Sequence, residues 1–105
     1  MPKCNSCGKR GLFLKIEEDT GLCLECNEQF AKTGKVLTEK ITQAKNAATV
    51  NTEPADIVQN CKDIERFGNE LIQLHRRFKI EPSNELLDLI TTYKKMGELA
   101  ANQTH

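Results

Sequence analysis

The chain has no tryptophan, one tyrosine and four phenylalanines among 105 residues, so little is available for an apolar core. A chain of this length removes only about two thirds of its extended surface from water, and packing alone stabilises it modestly. Net charge is also missing, because fifteen basic side chains balance fifteen acidic ones. Nucleic-acid binders usually carry a basic excess, so this balance weighs against that role. No apolar run reaches the roughly 18 residues of a membrane span. The opening MPKCNSC offers no apolar stretch for a secretory signal. The expectation is a cytoplasmic protein with no membrane segment, where thiols stay reduced and disulfides are rare. P-loop, nucleophile-elbow, H-E-x-x-H and dinucleotide patterns are lacking, so neither an enzyme nor a small-molecule substrate is expected.

What is present is cysteine. Cys4, Cys7, Cys23 and Cys26 read C-x2-C-x15-C-x2-C, inside the spacing range of structural zinc sites. A C-x-x-C turn lets two thiolates converge on one ion, and two such turns complete a tetrahedron with Zn–S bonds of about 2.3 Å. Gly8 directly follows the first pair and suits a turn needing positive φ. The second pair runs into Asn27-Glu28-Gln29-Phe30 without a glycine, which sets it in the first turn of a helix whose positive end favours thiolates. Between the pairs, Leu12, Leu14 and Ile16 alternate as in a strand, and residues 17–21 form a turn.

Spacing and compartment favour one structural Zn2+ per chain. A rubredoxin-like iron site fits less well, since it usually has two glycine-bearing knuckles. A redox C-x-x-C pair belongs in a βαβ frame that this sequence does not supply. A catalytic zinc needs an open coordination position, and four thiolates leave none.

The order of knuckle, short hairpin and helix bearing the second pair resembles a four-cysteine treble-clef zinc finger. CGKRGLFLKI followed by GLCLEC is similar to the N-terminal cysteine module of uncharacterised bacterial and phage proteins. The resemblance covers roughly residues 1–30 and implies metal binding. It does not single out a target, because such modules serve DNA, RNA and protein binding alike.

Downstream the period becomes helical. Phe30, Gly34, Leu37, Ile41, Ala44 and Ala48 form one seam of coiled-coil type. Ile57, Cys61, Ile64, Gly68, Leu71, His75 and Phe78 form a second, and Leu86, Ile90, Tyr93, Gly97 and Ala100 a third. The fold class expected is mainly α: a small Cys4 finger (1–30) of knuckle and short β-hairpin, continuing into a bundle (31–101) of about three antiparallel helices. Their expected ranges are about 24–49, 53–79 and 83–100, with Thr52 capping the second and residues 102–105 disordered. Antiparallel neighbours would place Gly34 opposite Gly68, with Tyr93 at the same level, leaving a local groove for a partner side chain or simply a space that Tyr93 fills. Cys61 reads as a small buried hydrophobe, and His75 as a boundary side chain near a helix C-terminus.

Lys3, Lys9, Arg10 and Lys15 surround the first knuckle, and Arg76, Arg77 and Lys79 end the second helix. They are candidate nucleic-acid contacts, although lysines also offset the charge of a four-thiolate centre and basic residues suit helix C-termini. The favoured function is a protein-interaction module, an adaptor or inhibitor of another protein. The alternative is a nucleic-acid-binding regulator using the basic knuckle. Extended seams on a thin core also admit a homodimer.

Overall fold

A computed structural model describes residues 2–103. Three helices follow in order: α1 (Leu24–Val50), α2 (Pro54–Arg77) and α3 (Asn84–Asn102). The α2 start is set by proline. Glu53 is extended before Pro54, which takes the first helical position where its missing N–H costs nothing. The cap is thus Glu53 and not Thr52, and no side-chain hydrogen bond closes it. Ser83 caps α3, its hydroxyl accepting from Leu86 N–H at 3.2 Å. Helix α3 runs through Asn102 with Gln103 as its cap. Thr104 and His105, also expected to be disordered, lie outside the described residues.

Helix α2 stops at Arg77 through a Schellman turn. Ile80 N–H donates to His75 C=O at 2.8 Å and Lys79 N–H to Arg76 C=O at 3.1 Å. Lys79 takes the left-handed conformation that this turn usually assigns to glycine, with φ 58°. The turn points Ile80 back towards the residues around the cysteines, where it packs with Phe78.

Helices α1 and α3 each pack on α2, and their backbones do not meet. The molecule is a rod of 62 × 18 × 15 Å. Two sides of α2 do different work: an added Cβ at Gly34 of α1 would meet Leu71 and Leu74, whereas one at Gly68 would meet Ile90 of α3. Gly34 and Gly68 therefore do not face each other. Tyr93 lines a separate α2–α3 groove beside Cys61 and Gly97, so the expected Gly34–Gly68–Tyr93 groove is not assembled. The reason is geometric, since neighbouring members of the α2 seam are shared out between two helices, Leu71 meeting Gly34 of α1 and Gly68 meeting Ile90 of α3. Cys61 is buried against the Gly97 backbone, and its burial raises the thiol pKa.

No strand ladder forms among the described residues. The expected hairpin is replaced by two loops, each closed by one antiparallel bridge, Lys3 with Arg10 and Ile16 with Cys23. Leu12 and Phe13 occupy a turn, with Leu14 N–H donating to Gly11 C=O at 3.2 Å, and both side chains are exposed. The strand-like alternation holds only for Leu14 and Ile16, which pack on the core. That core joins Cys4, Leu22, Cys23 and Cys26 to Leu37, Leu74 and Phe78. The cysteine end and the helix pair thus share one interior. Among the described residues no helix is long and apolar enough to cross a membrane.

Candidate metal centre

Two loops and one helix end build the site. In the first loop Cys4 N–H donates to Lys9 C=O at 2.9 Å, and Gly8 N–H to Cys4 C=O at 3.1 Å. Gly8 has φ 77°, which a side chain would strain. This tight turn places Cys4 and Cys7 on one side. The second loop repeats the pattern: Glu17 N–H donates to Leu22 C=O at 2.9 Å, and Gly21 N–H to Glu17 C=O at 2.7 Å. Gly21 has φ 70°. Its role is to deliver Cys23, the N-cap of α1, beside the first loop. Cys26 lies in the first turn of the helix, whose positive end would favour a thiolate once a cation is bound.

Four contacts join these parts. Asn5 N–H donates to Gly21 C=O at 2.9 Å across the two loops. The Thr20 hydroxyl donates to Asn27 Oδ1 at 3.1 Å and accepts from Leu22 N–H at 3.3 Å, tying the second loop to α1. Lys9 Nζ lies 3.5 Å from Glu25 Oε2, an exposed pair that adds little energy.

The four sulfurs all lie within 4.8 Å of one another. Cys7 Sγ and Cys23 Sγ are 3.8 Å apart. A tetrahedral ion with metal–sulfur bonds of about 2.3 Å has sulfur–sulfur edges of about 3.8 Å, so the set fits a metal ion. Cys4, Cys23 and Cys26 are buried and Cys7 is exposed. Burial pushes the Cys4 thiol up, but N–H groups of Cys23, Cys7 and Ser6, with the Cys7 side chain, outweigh it and hold Cys4 at about 6. Burial, then the neighbouring Cys23, Cys4 and Cys7, push Cys26 up to about 12. Four thiols so close cannot all ionise on their own; a bound cation would supply the compensating charge.

The candidate basic residues come together in part. Lys3, Lys9, Arg10 and Lys15 are exposed on and beside the first loop. Arg76, Arg77 and Lys79 are exposed around Phe78, whose ring packs into the cysteine core and lies 5.5 Å from the Arg77 guanidinium. Both groups therefore occupy the metal end. Glu17, Glu18, Asp19, Glu25 and Glu28 are exposed there too. His75 Nδ1 donates to Leu71 C=O at 2.7 Å, and its ring meets Phe30 edge-on at 5.1 Å. Sequence reasoning missed the exposed Leu12–Phe13 turn, for which the single Gly11 just before it is a weak signal.

Comparison with protein-family models, characterised proteins and solved structures finds no match. What the chain's own geometry establishes is a four-cysteine cluster able to hold a metal ion, set at one end of a three-helix rod.

Proposed function

We propose that the chain is a zinc-stabilised, non-enzymatic protein-interaction module of the cytoplasm, an adaptor or inhibitor of another protein. The closed set of four sulfurs carries this reading, because it is continuous with α1 and shares a core with α2. All-thiolate tetrahedral donors suit Zn2+, and four of them leave no position for a substrate. The resemblance to treble-clef fingers belongs to this reading, supported by the order of loop, loop and helix N-terminus. Native mass spectrometry of protein purified without added metal is expected to find one zinc per chain. Metal-free protein with reduced thiols and an intact fold would overturn it.

One observation supports a second reading, that of a nucleic-acid-binding regulator: Lys3, Arg10, Lys15, Arg76, Arg77 and Lys79 share the metal end. Phosphate contacts would make oligonucleotide binding fall steeply with salt, whereas an apolar protein contact would not. The acidic residues at the same end favour the first reading.

A further inference from the structure

The apex of the metal end is apolar. Phe13 is 95% exposed, Leu12 73% and Leu24 55%. Scattered exposed hydrophobes are ordinary, but these three belong to one end of the molecule, and Phe13 and Leu24 line the same shallow groove. A metal site beneath the turn would fix its shape in advance, lowering the ordering cost of any contact it makes.

The rim of this groove identifies the occupant. Lys9 and Lys15 line it from the loops, Glu25 and Glu28 from α1. Lys9 is paired with Glu25 within the chain, whereas neither Lys15 nor Glu28 has an ion pair among the described residues. A lipid headgroup surface or a phosphate backbone would attract the lysines and repel the glutamates equally. A two-fold axis through the groove solves both, because it sets the cationic loop side of one copy against the anionic helix side of the other.

We propose that the Leu12–Phe13 turn is a homodimer contact, with two copies meeting tip to tip. Phe13 and Leu24 of each copy pack on those of the other, and Lys15 faces Glu28 of the second copy. The proposal rests on the interaction-module reading and adds a second copy of the chain as a partner beside the other protein. The apolar apex is Leu12, Phe13 and Leu24, against the roughly 20–30 residues a side of a standard interface, so the dimer is a weak one.

Sedimentation velocity on the full, zinc-loaded chain, from about 5 to about 500 μM, tests it. The expected result is a concentration-dependent shift from monomer to dimer. Phe13→Ser stays monomeric throughout, with unchanged circular dichroism. Lys15→Glu weakens association about tenfold, and Lys15→Glu with Glu28→Lys restores it. A chain monomeric at every concentration overturns the proposal, as does a dimer that persists in Phe13→Ser or a double variant that fails to recover. A monomer that sediments with phosphatidylserine vesicles through Phe13 assigns the turn to a lipid surface and overturns it too. Zinc is counted on the same samples. One zinc in a monomer defeats only the dimer, whereas no zinc in an intact fold defeats the module reading.

Discussion

The two loops at the metal end have the same hydrogen-bonding pattern and different contents. Cys4 corresponds to Glu17, Cys7 to Thr20, Gly8 to Gly21 and Lys9 to Leu22. In the first loop two side chains turn towards a metal position, and Lys9 is left in water. In the second, no ligand lies within the turn. Leu22 is 0% exposed in the core, and the Thr20 hydroxyl ties the loop to α1. One turn geometry thus offers ligands to a metal in one loop and is held by packing and a hydroxyl in the other. The backbone tolerates either, because the glycine at positive φ, common to both, is what the turn itself demands.

Matched substitutions separate these two means of support. The largest contrast is valine at the corresponding Cys7 and Thr20. Cys7→Val is expected to lose the metal to a competing chelator, and with it most of the roughly 10–16 kcal/mol that structural zinc contributes in finger peptides. Thr20→Val keeps one metal and costs about 1 kcal/mol, the worth of a hydrogen bond. Metal counting and chemical denaturation distinguish them. Loss of metal from both variants would mean that the second loop is coordination-dependent after all.

Next in size is alanine at Leu22 and Lys9. Removing the buried leucine costs about 2–5 kcal/mol, and truncating the exposed lysine stays within about 0.5 kcal/mol. Equal midpoints in a urea titration would deny that packing holds the second loop.

Gly8→Ala and Gly21→Ala give a finer comparison. Both force a side chain into the left-handed region, at about 1–2 kcal/mol each. An added Cβ at Gly8 meets nothing, whereas one at Gly21 collides with the Asn5 side-chain amide. Swinging that amide aside adds about 0.5–1.5 kcal/mol. The excess should vanish in an Asn5→Ala background, which a double-mutant cycle measures.

The smallest effect is a gain. Lys79 is the non-glycine residue at positive φ among those described. Lys79→Gly is expected to stabilise by about 0.5–1 kcal/mol, calibrating the cost that the two loop glycines avoid. A lower melting temperature would show that the lysine side chain makes up for its strained backbone.

The long-range part of the fold was legible because its signals are periodic. Three amphipathic seams locate three helices, and C-x-x-C spacing brings four cysteines together. The second pair was also placed correctly on a helix start, since no glycine follows Cys26. Two things were not legible. Leu12-x-Leu14-x-Ile16 mimics a strand, yet Gly11 turns the chain and leaves Leu12 in water. Partner choice along α2 was the other, because a seam records which residues are buried and not which neighbour buries them. Gly68 and Leu71 are consecutive members of one seam and face different helices.

That division of α2 sets the order in which the rod comes apart. A closed three-helix ring must break two interfaces to release any one member. Here the backbone of α3 packs on α2 alone, and α1 reaches it only through side chains lining a shared groove at its N-terminal half. Helix α1 has both α2 and the cysteine end to hold it. Amide exchange should therefore be fastest in α3, with α1 and the cysteine loops as the last unit to open. The end of the molecule with the least regular structure would then be its most durable.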